Sequence, residues 1–182
     1  MRKRKMNSRE EWDRYFMSMA FFVSGKSKDN SSRIGAIIVS EDNAILSTGY
    51  NGLARGVKET AERNARPEKY FWYAHGERNA CYNAAREGIR LKGSRIYTQG
   101  TPCADCAIAV IQSGIKECIV SSLWEGRDPQ NPARQKWLES AKRSKDMFNE
   151  AGVKLIVYNA EYITHISGKF SGTDFELNEK ES

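Results

Sequence analysis

An α/β fold, with a mixed sheet covered by helices on both faces, is predicted by three observations. Apolar residues recur at helical spacing in four segments. Short β-branched, apolar runs fall between them. The resulting order is helix, hairpin, helix, strand, helix, strand, helix, strand. Strands joined through helices form βαβ units and pair in parallel, whereas the hairpin pairs antiparallel. The 182 residues suit one domain with a full core. There is no internal repeat and no second domain boundary. The expected division is a flexible basic tail over residues 1–9, a domain over 10–160 and a loose polar tail over 161–182.

The elements follow in order. EEWDRYFMSMAFFVSGKS, from Glu10, has helical periodicity and ends near Gly25. RIGAIIVS and AILSTGYN, separated by the turn residues EDN, read as two strands of a hairpin. Residues 53–69 are polar, carry Pro67 and show no strong period, so a loop with one helical turn is expected. A helix over residues 74–87 is closed by Gly88, SRIYTQ is a short strand, and a helix over 103–113 stops at Gly114. ECIVSS is a strand, residues 132–150 are a helix with Trp137, Leu138, Ala141 and Met147 inward, and GVKLIVYN is the last strand.

The charge is +6, part of it in MRKRK at the N-terminus, where a solvated tail is the ordinary reading. A basic surface attracts nucleic acid, but it equally attracts a phosphorylated small molecule. No apolar run approaches the roughly 20 residues of a membrane span, and the N-terminus has no apolar signal segment. Four cysteines do not make a disulfide scaffold in a chain of this size. Two of them stand at metal-ligand spacing, which points to a reducing, cytoplasmic setting.

Those two are Cys103 and Cys106 in TPCADC, where they open a helix just after Pro102. At i and i+3 their sulfurs share a face, and the positive helix N-terminus favours thiolates. A lone CxxC is also compatible with a redox pair. His75, in HGERNA, likewise opens a helix, and alone it reads as a surface or capping residue. Together the three make a Cys2His set for one zinc ion. Cys81, Cys118 and His165 are poor fourth ligands. A structural zinc takes four protein ligands and a catalytic one keeps a position open, so a count of three leaves room for a water. Glu77, two residues after His75, then has a purpose: a carboxylate in reach of that water can take its proton and carry it to a substrate.

The paired patterns H-x-E and P-C-x-x-C are the signature of zinc-dependent nucleobase deaminases. With RIGA, GYNGLARG and ERNA, the chain resembles the deoxycytidylate (dCMP) deaminase family from about Trp12 to Tyr158. The resemblance implies the three-layer cytidine-deaminase-like fold, with a five-stranded mixed sheet flanked by helices. It implies one Zn2+ per chain on His75, Cys103 and Cys106, with Glu77 as the catalytic proton shuttle. It also implies that Asn51 meets the sugar, that Arg33 lies near the 5′-phosphate, and that Gly76, Thr101 and Pro102 border the base. Trp124, after ECIVSS, is a candidate stacking lid for the base; an ordinary core or interface tryptophan is the alternative. The implied reaction is hydrolysis of dCMP to dUMP and ammonia, in pyrimidine nucleotide metabolism. The implied partners are a small-molecule nucleotide and further copies of the same chain, with no membrane and no nucleic acid.

Two departures bear on this. The family usually reads HAE, and Gly76 here is expected to loosen or enlarge the pocket. The stretch after GYNG lacks the histidines and cysteines with which some members bind a second zinc. Three rivals stay open: a deaminase of another cytosine nucleotide or nucleoside, an RNA or single-strand DNA deaminase using KYFWYA and the positive charge, and a non-enzymatic zinc module. For KYFWY, core and subunit interface is the reading preferred here.

Overall fold

The structure is a computed structural model, and it describes residues 8–125, 132–164, 166–171 and 173–177. Ser8 starts the first helix, α1 (Arg9–Ser24), through a capping box with Glu11. A hairpin follows, β1 (Gly35–Val39) and β2 (Ile45–Tyr50). Next come a two-residue strand β3 (Gly52–Leu53), short helices α2 (Ala61–Asn64) and α3 (Lys69–Trp72), and β4 (Tyr73–Ala74), which pairs with β3. The remainder alternates: α4 (Gly76–Arg86), β5 (Arg95–Thr98), α5 (Ala104–Gln112), β6 (Glu117–Ser121), α6 (Ser122–Glu125), α7 (Pro132–Ala151) and β7 (Lys154–Tyr158). A last pair, β8 (Ile166–Phe170) and β9 (Thr173–Leu177), completes the order.

Five strands form the main sheet in the order β2-β1-β5-β6-β7. β1 is antiparallel to both β2 and β5, while β5, β6 and β7 run parallel, as the helix-linked strands require. Every residue of β1 is buried, because helices cover both faces. One face carries Ala36, Ile38, Ile96, Cys118 and Val120 against Ala80, Ala84, Ala107, Val110 and Phe148 of α4, α5 and α7. The other carries Ile37, Val39, Tyr97 and Ile119 against Phe16, Met17 and Ala20 of α1. Burying one such large apolar side chain contributes roughly 1.5–3 kcal/mol, so β1 anchors both layers at once. Arg9 locks α1 to the sheet by pairing with Asp13 and Glu117, and Tyr97 donates to Asp13 at 2.6 Å.

Several expectations are corrected. Arg9 belongs to α1, not to a basic tail; residues 1–7 lie outside the described residues. The C-terminal segment is not loose where it is described. Tyr162 Oη hydrogen-bonds Ser121 Oγ, and the Ile163 N–H donates to Ser18 Oγ at 2.9 Å. Beyond it, residues 166–170, in which Ile166, Gly168 and Phe170 alternate with polar residues in sequence, pair antiparallel with residues 173–177 across a two-residue connection, the pattern of a hairpin. The polar composition hid that alternation.

In α7 the buried stripe is Ala141, Ser144 and Phe148, and Leu138 is exposed, one position off it. Over residues 53–69 the expected helical turn is α2, and the stretch also holds Leu53 of β3 and the first residue of α3. In KYFWY the burial inverts hydropathy: Lys69 is buried and Phe71 is 82% exposed.

Candidate active site

Two helices aim their N-termini at one spot. His75 is the N-cap of α4 and Cys103 the N-cap of α5, both in extended backbone, and neither side chain caps its own helix. The side chains turn towards each other. His75 Nδ1 lies 3.3 Å from Cys103 Sγ and 3.5 Å from Cys106 Sγ. Among the described residues, this is the one group of three or more histidine, cysteine or acidic side chains whose donor atoms converge, all within 4.8 Å. A tetrahedral zinc centre, with bonds of about 2.0 Å to nitrogen and 2.3 Å to sulfur, places N and S about 3.5 Å apart. The donor set therefore fits that ion.

Glu77 sits in the first turn of α4, 5% exposed, with Oε2 3.7 Å from Cys106 Sγ. Burial pushes its carboxyl above the ordinary value, against the opposing charge of His75. The Cys103 thiol is pulled down to about 4, chiefly by its hydrogen bond with Cys106, with His75 adding to the effect against burial. Cys81 and Cys118 are buried in the core and are not among the converging donors. His165 lies outside the described residues.

Backbone contact joins this cluster to the hairpin. A Cβ on Gly49 would lie 2.3 Å from both the Gly76 carbonyl and the Ala80 nitrogen, so β2 meets α4 with no side chain between them. A Cβ on Gly76 would lie 2.8 Å from the Ile34 carbonyl. The expected enlargement at Gly76 is thus corrected: backbone, not empty space, occupies the place of the missing methyl. The same contact sets Ile34, and with it the loop of Arg33, beside α4.

The sequence features and the geometry now meet known proteins. The model of the cytidine and deoxycytidylate deaminase zinc-binding region matches residues 10–122. The human deoxycytidylate deaminase is 37% identical over 151 residues, covering 79% of this chain and 77% of that protein. The cyanophage S-TIM5 dCMP deaminase has a similar structure in its apo form, with a TM-score of 0.62 at 22% identity, over 83% of this chain and 100% of that one. A second structure of that enzyme, in complex with dCMP and dUMP, matches with a TM-score of 0.60 at 22% identity, over 79% of this chain and 94% of that one.

The chain belongs to the cytidine and deoxycytidylate deaminase family.

In this deaminase-family chain the other expected site residues fall as follows. Thr101 and Pro102 are buried on the segment leading into α5. Arg33 is exposed, and its backbone carbonyl accepts from Gln99 Nε2 at 3.3 Å. Asn51 is 5% exposed; its Nδ2 donates to the Ser32 carbonyl at 2.9 Å and to Asp29 Oδ2 at 3.2 Å, and its Oδ1 accepts from Ile34 N–H at 2.8 Å. Trp124 falls within α6 rather than a loop, and its side chain lies outside the described residues.

Four residues escaped the sequence reading. Gln99, 1% exposed, accepts from Gly35 N–H at 2.6 Å and so fixes the start of β1. Ser140 of α7 accepts from Ala104 N–H at 2.9 Å, capping α5 in place of Cys103. Asp29 and Lys69 form a buried ion pair. A buried lysine beside an aspartate 40 positions away leaves no local pattern, because the signal is spatial.

Proposed function

We propose that this protein catalyses the hydrolytic deamination of dCMP to dUMP, with release of ammonia, in pyrimidine nucleotide supply. The observation that carries the reading is the convergence of His75, Cys103 and Cys106 on two helix N-termini with the buried Glu77 beside them. These three residues would hold one Zn2+. Bound there, the ion supplies Lewis acidity that makes water a nucleophile near neutral pH.

The chain's own residues do the rest. Glu77 takes a proton from the attacking water and places it on N3 of the cytosine ring. It then assists protonation of the amino group, so that the C4–N bond breaks and ammonia leaves as the C4 carbonyl forms. Its burial keeps bulk water from competing for that proton. Gly76, Thr101 and Pro102 border the base. Asn51 meets the deoxyribose, and Arg33 meets the 5′-phosphate; an arginine–phosphate contact is charge-assisted and favours nucleotide over nucleoside. Support for this substrate comes from the named activity of the human relative and from the two nucleotides bound by the cyanophage enzyme.

Four cysteines that form no disulfide suit a reducing compartment, and we place the protein in the cytoplasm. No helix among the described residues is long and apolar enough to cross a membrane. Phe22 and Phe71, 73% and 82% exposed, favour assembly of several copies of the chain, which light scattering would test.

The deciding experiment is ammonia release from a panel of dCMP, 5-modified dCMP, dCTP, deoxycytidine, AMP and an RNA hairpin. Turnover with dCMP at the highest kcat/KM supports the proposal. Deoxycytidine or the RNA turned over as fast as dCMP would keep the zinc chemistry and overturn the substrate.

A further inference from the structure

Lys69 and Asp29 are buried, at 5% and 6% exposure. Lys69 Nζ donates to both carboxylate oxygens, at 2.8 and 2.7 Å, and also to Ser31 Oγ. Asp29 Oδ1 further accepts from the Ser31 N–H and hydroxyl, both at 2.8 Å, and from Ser32 N–H at 3.2 Å. Asp29 Oδ2 accepts from Asn51 Nδ2 at 3.2 Å. Burial alone would raise the Asp29 carboxyl, but the Lys69 ammonium and the Ser31 and Ser32 donors hold it below its ordinary value.

Stability does not explain such a pair, since two matched apolar side chains commonly serve a fold as well or better. Connectivity does. The pair ties α3, through Lys69, to the loop over residues 29–34 and to the end of β2, through Asn51. Asn51 in turn spans that loop, bonded to the Ser32 carbonyl and the Ile34 N–H, on either side of Arg33. Three elements distant in sequence thus fix one amide and one short loop.

We propose that the Lys69–Asp29 pair is the positioning device for the nucleotide side of the pocket, orienting Asn51 and the 29–33 loop towards the sugar and phosphate. Neither residue touches the reacting atoms; both act through Asn51 and Arg33. The inference rests on the substrate reading given under Proposed function.

The test is the double variant Asp29→Asn/Lys69→Met, which leaves no unpaired buried charge. Asparagine at 29 can still accept from Ser31 and Ser32, but it sets an NH2 group against the NH2 of Asn51. Asn51 therefore loses one anchor while the turn persists. The expected result is a folded variant with the parent's zinc content and a kcat within about threefold, but a KM for dCMP raised about tenfold, the size of one lost bond to a charged group. A KM within about twofold of the parent, in a folded and zinc-loaded double variant, overturns the proposal. Ser31→Ala, at an exposed residue, is the second variant and does not depend on the first one folding. It removes one donor to Asp29 and should raise KM about two- to fivefold at unchanged kcat, a fraction of a full bond; unchanged KM overturns the proposal.

Arg33→Ala and Asn51→Ala separate the two readings. If those two variants lose affinity for dCMP and the pair's variants do not, only the positioning role fails. If none of the four changes it, the substrate reading fails with it.

Discussion

The Ile34 carbonyl occupies the space that a side chain at Gly76 would need: a Cβ there would lie 2.8 Å from its oxygen and 3.3 Å from its carbon. Gly76→Ala therefore sets helix propensity against overpacking. Alanine gains up to about 1 kcal/mol in helix propensity. Forcing a methyl against backbone costs roughly 1–3 kcal/mol. The first helical position realises little of the propensity gain, so the clash wins. The variant should unfold about 1–2 kcal/mol more easily in denaturant, and an unchanged midpoint would show that the hairpin yields freely there.

Glu77→Gln should retain fold and metal content and lose turnover. The side chain keeps its shape but can neither accept the water proton nor deliver it to N3. General acid–base catalysis contributes about 10²–10⁴-fold, and a residue serving two steps belongs at the upper end. Steady-state ammonia release would measure it; activity within about tenfold of the parent contradicts the role.

Zinc stoichiometry is the third test. Elemental analysis should give one ion per chain, and Cys103→Ala should abolish tight binding, because two remaining ligands do not hold a tetrahedral site. Chelator-treated protein should lose activity and recover it on zinc addition. Two ions per chain, or full retention by Cys103→Ala, would contradict the assignment of ligands.

Arg33→Ala probes selectivity. If the guanidinium meets the 5′-phosphate, the parent should prefer dCMP over deoxycytidine by about ten- to hundredfold in kcat/KM, the worth of one or two charge-assisted bonds. The variant should lose most of that preference on the nucleotide and little on the nucleoside. Equal losses on both would place Arg33 in the scaffold rather than at the phosphate.

Acid stability tests Asp29. Its carboxyl titrates below the ordinary 3.8 in the folded protein, so its contribution is present above that value and disappears as pH falls below it. The facing groups are Lys69 and the neutral Ser31, Ser32 and Asn51. Denaturant unfolding of the parent should weaken more steeply below about pH 4 than that of Asp29→Asn/Lys69→Met. Parallel pH profiles for the two would contradict the assignment.

The sequence by itself determined the order of the four long helices and of the five strands of the main sheet, the parallel and antiparallel portions of that sheet, and the intervals that single out His75, Glu77, Cys103 and Cys106 as candidates. Each of these rests on short-range pattern. Helical spacing, β-branched runs and the intervals between ligands within HGE and PCADC are all read over a few residues. The tertiary structure alone decided what fills the space at Gly76, what caps α5, and where a lysine is buried. Those outcomes depend on groups 36 to 42 positions apart, such as Ser140 on Ala104 and Lys69 on Asp29. Hydropathy misled in KYFWY, because an ammonium met by a carboxylate and a hydroxyl is tolerable inside the protein, whereas Phe71 on the same short helix points into solvent. Alternation between Ile166 and Phe170 was legible in principle, but a polar composition outweighed it until pairing with residues 173–177 showed the strand. Local chemistry writes itself into sequence, while complementarity between distant surfaces appears only once the chain has brought them together.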